Sequence, residues 1–385
     1  MKKLYMLLFP LLLVALIVTA VGCGGGKEEA TPTPTRTPTA SGVTPTPGGG
    51  TPAPVYTGKS HTFKLAHSSA VTTQIHQQWL LADELLRKYT NDKVKLEIYP
   101  AASLYSSFEL WDALSTGALD IASLGDFQPQ MAGYLDFQIG YIPFFWGDTV
   151  EEAWEHDKRF WEHPDGGTTL FAEVEDAGVK ILGAFTTGVL QVGMNNFGMD
   201  SQYDMKGKKA PSVGGLTGLN TAFVGAQQVV IDPAEFAIAF QQGLVDLVFR
   251  GPDSILALKL YDVAKDGFVI SSLISHNFWA MNLDLWDDLE PELQDIIQNK
   301  VIPDLKAWAE ETFRADENNA LQELENLGVN ITWETDQERL EIRDATWDMA
   351  WDKGFLDDMD VDLIKLADRL RTAPYDQEYF TYPTD

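Results

Sequence analysis

Two stretches of the chain carry the same punctuation in the same register. Ser106-x-x-Glu109 is followed, eight residues beyond Glu109, by Gly117 and then by Asp120-Ile121-Ala122-Ser123-Leu124-Gly125. Asp232-x-x-Glu235 is followed at the same spacing by Gly243 and then by Asp246-Leu247-Val248-Phe249-Arg250-Gly251. In each, a small polar residue with an acid three positions on is the signature of a helix start. The glycine sits where that helix should stop. The apolar run after the aspartate has the look of a buried parallel strand. The pattern predicts two α/β units and two lobes of like construction. In open α/β sheets ligands bind beyond the carboxyl ends of the strands. The loops Gly125-Asp126-Phe127 and Arg250-Gly251-Pro252-Asp253 are therefore predicted to face each other across a cleft. Chance similarity between two common helix–strand passages is the plainer alternative, and it stays open at this stage.

The first residues look like an address. Met1-Lys2-Lys3 precedes an apolar run from Leu4 to Val21, interrupted by Pro10, and Gly22-Cys23 follows. A positive start, an apolar stretch and small residues before a cysteine describe an export leader. The run is marginal for a membrane span. Ala20-Val21-Gly22-Cys23 resembles a bacterial lipobox, with Ala20 in place of the more usual leucine. That resemblance implies cleavage before Cys23 and lipidation of its sulfur. Cys23 is the only cysteine, so the chain forms no internal disulfide. From Gly24 to about Gly58 the chain is mostly Gly, Thr, Pro, Ala and Ser with almost no large apolar residue, and Thr31-Pro32-Thr33-Pro34 recurs as Thr44-Pro45-Thr46-Pro47. Such a segment buries too little surface to offset its ordering entropy and reads as a semi-extended tether.

About 325 residues remain, enough for two lobes of ordinary size. A hydrophobic content of 45%, with 11% aromatic, supports a substantial core. The net charge of −29 argues against nucleic acid and against anionic lipid heads as partners. It suits an extracytoplasmic protein that repels its neighbours.

Along this part, Phe63 to His67 reads as a first strand entering the polar loop Ser68-Ser69. Ile75, Trp79, Leu86 and Tyr89 recur at helical spacing, which predicts a helix over 73–89. Val94 to Pro100 alternates as a strand and stops at proline. An aromatic loop, Ile142-Pro143-Phe144-Phe145-Trp146, leads to a helix from Val150 to about Trp161. Gly178 to Gly183 reads as a further strand. The Gly-rich Val213 to Gly218 lacks both the G-x-G-x-x-G spacing and a Gly-Lys-Ser/Thr, so it reads as a loop rather than a phosphate cradle. Residues 288–327 predict a long acidic helix with Pro291 at its start and a kink at Pro303.

Catalytic signals are sparse. No Gly-x-Ser-x-Gly elbow occurs, and the lone Cys23 excludes a cysteine nucleophile in the globular part. The six histidines form no His-x-x-x-His or His-Glu-x-x-His pair. Asp357-Asp358-x-Asp360-x-Asp362 lacks the glycine and distal glutamate of a calcium loop and reads as a solvated acidic face. No metal or other cofactor is expected, and nothing in the chain makes a positive case for an enzyme.

The order of these segments resembles the extracytoplasmic solute-binding proteins of tripartite ATP-independent periplasmic (TRAP) transporters, of the dicarboxylate-binding type. The resemblance spans about residues 60–335. It rests on Phe63 to His67, Val94 to Leu104, Trp111 to Asp120, Tyr141 to Phe145, Asp204-Met205-Lys206-Gly207-Lys208-Lys209, Glu235 to Asp246, and Trp286 to Gln294. It implies a two-lobed, periplasmic-binding-protein type II-like α/β fold. Each lobe would be a central sheet flanked by helices, and a hinge and a long helix would join the two. The family also implies an arginine clamp for a substrate carboxylate two residues after Lys209, and a second arginine near Gln191 or Val192. Here Pro211 occupies the first position and no basic residue occupies the second. Arg250, closing the second repeat strand, is the candidate replacement, a surface arginine being the alternative.

The reading is a lipid-anchored solute-binding protein that captures a small organic solute and delivers it to TRAP membrane subunits, touching the membrane only through its anchor. A ligand-presenting sensor is an alternative. An extracytoplasmic hydrolase is a weaker one, since it needs a nucleophile–base pair or a metal cluster. Expected segments are 1–23 as leader and lipobox, 24–58 as tether, 59–186 with about 276–318 as one lobe, and 187–275 with about 319–385 as the other. The expected ligand contacts are His67, Ser68, Ser69, Asp126, Phe127, Trp146, Gln191, Asn195, Arg250, Asp253, Phe278 and Trp279. For Trp146, Phe278 and Trp279 core packing is the competing role.

Overall fold

The computed structural model describes residues 56–371, apart from 148, 272, 353 and 355. The leader, Cys23 and the tether up to residue 55 lie outside the described residues. Chain order begins slightly earlier than expected, because Tyr56 is buried and its hydroxyl donates to the Lys59 carbonyl at 2.9 Å. Among the described residues no helix is long and apolar enough to cross a membrane.

Two sheets organise the molecule. The first contains β1 (His61–Ala66), β2 (Val94–Tyr99), β3 (Ile121–Leu124) and β4 (Val179–Gly188), together with β10 (Ser275–Asn282) from later in the chain, in the order β2-β1-β3-β10-β4. The β1 strand runs parallel to β2 and β3, and β10 enters antiparallel between β3 and β4. The second contains β5 (Gln191–Asn195), β8 (Leu247–Arg250), β9 (Asp266–Ile270) and β11 (Asn330–Trp333), ordered β11-β9-β5-β8. A short parallel pair, β6 (Lys209–Ser212) with β7 (Gln227–Val230), accompanies it. Helices flank both sheets, which makes the chain a two-lobed α/β protein. The strand expected over 178–183 extends to Gly188, because β10 offers it a partner along its whole length. That partner lies far away in sequence, and no local signal announces it.

The two repeats fold alike. The helix Leu110–Ser115 ends at Gly117 with φ +73°, and the helix Phe236–Gln241 ends at Gly243 with φ +69°. Only glycine takes this left-handed turn without strain. The aspartate that follows has the same task in both units. Asp120 accepts the Lys64 N–H at 2.7 Å, and Asp246 accepts the Lys209 N–H at 2.8 Å, so each stitches the start of its strand to a neighbouring strand. The caps differ. Asp232 accepts from the Ala234 N–H at 2.9 Å. Ser106 instead receives the Glu109 carboxylate, on its N–H at 3.0 Å and its hydroxyl at 2.7 Å, and the helix proper opens only at Leu110.

The chain passes between the sheets from β4 to β5 through Val189-Leu190, and returns from β9 to β10. The expected 288–327 helix is three pieces, Pro291–Ile296, a π-turn Ile297–Val301, and Ile302–Asn326. The wider turn precedes Pro303, whose ring would clash with a regular ladder and whose N–H is missing. From this helix Glu317 reaches back to the first passage and accepts the Val189 and Leu190 N–H groups at 2.7 and 2.8 Å. Burial raises the Glu317 carboxyl to about 7 against those bonds. The last described helix, Val361–Arg371, packs on the helix Val150–Glu162 beside the first sheet, where His156 hydrogen-bonds the Ala367 carbonyl. This corrects the expectation that the chain beyond 319 belongs wholly to the second lobe. Asp360 caps that helix by accepting the Asp362 N–H at 2.8 Å, so part of the acidic run has a structural task.

Candidate functional site

A cavity of about 280 Å³ opens between the two sheets, lined from both. The carboxyl end of β3 and the loop after β1 form one wall. The end of β8, the start of β5 and Pro211 of β6 form the other. Topology explains the placement, because both repeat strands point their carboxyl ends at the same gap.

Of the expected contacts, Ser68, Ser69, Phe127, Gln191, Arg250 and Asp253 line this cavity. Pro211 lines it too, so the first position where the resemblance implies a guanidinium holds proline on the cavity wall, and Gln191, one of the two candidates for the second, lies there as well. Arg250 is the one arginine among the lining residues, and no lysine is among them. Its guanidinium lies 4.7 Å from the Phe236 ring centroid and donates through Nη2 to the Pro233 carbonyl. Its Nε is buried with no hydrogen-bond partner. Burial lowers the Arg250 pKa to about 10, and Asp253 and Asp232 work against that, so it is charged at neutral pH. Burial raises the Asp253 carboxyl, and the Asp316 carboxylate nearby adds to the rise. Asp316 itself is bound by the Gln74 side-chain amide.

The remaining expected contacts are placed elsewhere. His67 is buried behind the wall, with Nε2 at 3.0 Å from Nδ1 of His76. Burial, then His76, lowers its pKa to about 4, so it is neutral at pH 7. Asp126 is committed to His276, with its carboxylate 2.7 Å from Nδ1, while Asp157 lies 2.6 Å from Nε2. Burial alone would lower the His276 pKa, but the two aspartates overcome it and raise it to about 10. His276 touches the cavity, yet both ring nitrogens are occupied and none is left for a ligand. Gly140 makes the pair possible. A Cβ there would lie 2.9 Å from Oδ1 of Asp126 and 3.0 Å from the imidazole. Asn195 is fully buried and closes its own turn, accepting from the Phe197 and Met199 N–H groups at 3.2 and 3.3 Å. Trp146 packs edge-on to Phe160, and its carbonyl bonds Nδ1 of His156 at 2.9 Å. Phe278 and Trp279 are core residues of β10, the indole of Trp279 meeting that of Trp79 edge-on at 5.2 Å. For these side chains packing or local hydrogen bonding wins, Phe278 and Trp279 because they lie in mid-sheet, Trp146 and Asn195 because they are buried where they stand.

The sequence reading missed several lining residues, chiefly Tyr141, Phe236, Phe249 and Phe313. Phe249 is the one with a local signal, since it occupies the penultimate position of the second repeat strand. Phe313 comes from the long helix, and nothing near it in sequence marks it.

Among the described residues no group of three or more His, Cys, Asp or Glu side chains is arranged to hold a metal ion. The lining offers one guanidinium, one carboxylate, amides, hydroxyls and aromatic faces. That set binds and orients a small polar molecule.

Comparison with known proteins agrees. Residues 65–356 match the family model described as bacterial extracellular solute-binding protein, family 7. The C4-dicarboxylate-binding periplasmic protein DctP of Rhodobacter capsulatus is 25% identical over 269 residues, covering 69% of this chain and 78% of that protein. The sialic acid-binding periplasmic protein SiaP of Vibrio cholerae is 21% identical over 278 residues, covering 71% of this chain and 83% of that protein. Among solved structures, a TRAP periplasmic solute-binding protein of Sulfurospirillum deleyianum with bound succinate superposes with a TM-score of 0.72 at 18% identity, over 80% of this chain and 98% of that one. The sugar acid-binding protein of Advenella mimigardefordensis, in complex with galactonate, gives 0.75 at 16% identity, over 81% and 98%. With its two sheets, its interlobe cavity and a family match over most of its length, the chain belongs to the family 7 bacterial extracellular solute-binding proteins, the TRAP solute receptors.

Proposed function

We propose that this protein captures a small organic acid in the cleft, holds its carboxylate on Arg250, and delivers it to TRAP membrane subunits from a lipid anchor on Cys23. The observation that carries the ligand reading is Arg250, the one guanidinium on a wall where Pro211 and Gln191 stand. A half-buried guanidinium whose Nε is buried and unbonded is under-satisfied, and a carboxylate supplies the charge-assisted bond that it lacks. Ser68, Ser69 and Gln191 supply further polar contacts, and Phe127 covers the apolar part. Relatives described as binding C4-dicarboxylate, succinate and galactonate support the chemical class. The anchoring reading rests on Ala20-Val21-Gly22-Cys23.

Calorimetric titration with succinate, galactonate and 2-hydroxy acids tests the ligand reading. At least one is expected to bind, and Arg250→Ala is expected to weaken it at least tenfold, about 1.4 kcal/mol. Unchanged affinity in the variant would move the carboxylate away from Arg250. For the anchor, Cys23→Ser is expected to abolish fatty-acid labelling, and labelling that persists would refute lipidation at that sulfur.

A further inference from the structure

Arg250 and Asp253 place opposite charges three residues apart on one cavity wall. Arg250 is held by the Pro233 carbonyl and the Phe236 ring. Asp253 sits at the start of the short helix Pro252–Ala257. The Asp253 charge acts on Arg250, and Ser254 hydrogen-bonds the Asp253 carboxylate, but no direct salt-bridge contact to either is found among the described residues. Beyond Asp253 lies Asp316, whose carboxylate binds the Gln74 amide and no cation. The wall therefore carries a cation at Arg250 and an anion at Asp253, and Phe127, Phe236, Phe249 and Phe313 also line the cavity.

A second carboxylate on the ligand would lie against Asp253 and meet like charge in a poorly solvated cleft. A ligand carrying only one carboxylate would draw the Arg250 charge to itself and leave the Asp253 carboxylate with its Ser254 hydrogen bonds but no compensating cation, which is costly in a poorly solvated cleft. A molecule with a carboxylate and an ammonium on neighbouring carbons satisfies both groups at once. We infer that the ligand is amphoteric, an α-amino acid or a close analogue, with its carboxylate on Arg250, its ammonium on Asp253 and an apolar side chain against the phenylalanines. This rests on the solute-binding reading above and narrows the ligand class.

The test pairs each of the twenty common L-amino acids with the 2-hydroxy acid of the same skeleton, titrated into the protein by calorimetry. At least one amino acid is expected to bind tenfold or more tightly than its hydroxy counterpart. Asp253→Asn is expected to collapse that ratio to about threefold or less, while Arg250→Gln weakens both members of the pair. A hydroxy acid that binds as well as its amino acid overturns the inference, as does a preference that survives Asp253→Asn. If the asparagine variant fails to fold, the wild-type ratio alone decides. Binding of hydroxy acids or succinate and of no amino acid overturns this inference and leaves the organic-acid reading intact. Binding of neither class overturns both.

Discussion

The two repeats are built alike up to the glycine that closes each strand, and they part company at the next residues. After Gly125 the first repeat places Asp126 in a buried ionic cluster with His276 and Asp157. Around Gly251 the second repeat places Arg250 and Asp253 on the cavity wall, each acting on the other rather than sealed in a buried cluster. Neighbouring, though not identical, positions at the ends of equivalent strands thus serve rigidity in one lobe and recognition in the other. A repeated scaffold fixes where a loop points. It does not fix whether the charges on that loop are consumed by the protein or left for a ligand.

The sharpest way to break this comparison is to remove the cation of the buried cluster. His276 is enclosed, its two ring nitrogens face two carboxylates, and Thr186 and Trp161 complete the shell around Asp157. Replacing it leaves uncompensated buried charge, which typically costs about 3–5 kcal/mol. His276→Gln is expected to lower unfolding free energy by that amount in urea denaturation, whereas Asp253→Asn changes it by less than about 1 kcal/mol. Equal costs would mean that the two loops are not divided between scaffold and site. The cluster also has a pH signature. The His276 pKa is raised from 6.5 to about 10, so its stabilisation is complete below pH 6.5 and is lost as pH rises through 10. His276→Gln should flatten stability over that window.

Glu317 belongs to neither repeat and lies where the halves join. Its carboxyl is raised from 4.5 to about 7, chiefly by burial. An acid whose folded pKa is raised is favoured protonated, so its contribution is fullest below 4.5 and declines as pH rises to about 7. Glu334, raised to about 7 by burial, acts in the same direction. The unfolding free energy should fall between pH 4.5 and 7 by about 3 kcal/mol per group. Glu317→Gln should remove its own share and leave that of Glu334. An unchanged slope would show that the Val189 and Leu190 N–H groups do not depend on this carboxyl.

The repeats, their turns and the α/β class were legible because the signals are local: a glycine at the helix stop, an aspartate before an apolar run, a proline at the end of a strand. The cleft followed from topology. The site was legible only in part, because a side chain's availability depends on partners remote in sequence. Asp126 reads like a ligand contact until His276 takes it, and Asn195 until its own turn does. Phe313 arrives from a helix more than sixty residues beyond the second repeat. The aromatic pair Phe278-Trp279 shows the opposite error. Composition suggested a binding wall, and the mid-sheet position of β10 made it core.

A comparison at smaller energy tests recognition directly. Arg250→Ala removes a charge from the second repeat's loop, and its binding loss of at least tenfold should come with little change in unliganded melting temperature. Asp126→Asn, in the first repeat's loop, should do the reverse, lowering the melting temperature while the unfolding-corrected affinity changes by less than threefold. Thermal melts alongside titrations separate the two. A large stability loss in Arg250→Ala would make the arginine part of the scaffold.

The smallest expected effect concerns the place where the two repeats touch. Asp232, the cap of the second, accepts the Ser107 N–H at 2.9 Å and the Ser107 hydroxyl at 2.5 Å from the first, joining the lobes across the cleft. The next residue, Pro233, offers its carbonyl to Arg250, so the contact that closes the lobes also seats the binding guanidinium. Ser107→Ala deletes the hydroxyl bond and keeps the backbone one, and a single such bond is worth about 0.5–1.5 kcal/mol. If the lobes open to release ligand, a bond across the cleft acts on the lifetime of the bound form. The variant should therefore release ligand about two- to tenfold faster with an unchanged association rate, and its unliganded radius of gyration by small-angle scattering should be larger. Stopped-flow dissociation rates measure the first. A release rate equal to wild type would mean that closure is held elsewhere, with the Ser107–Asp232 contact following it.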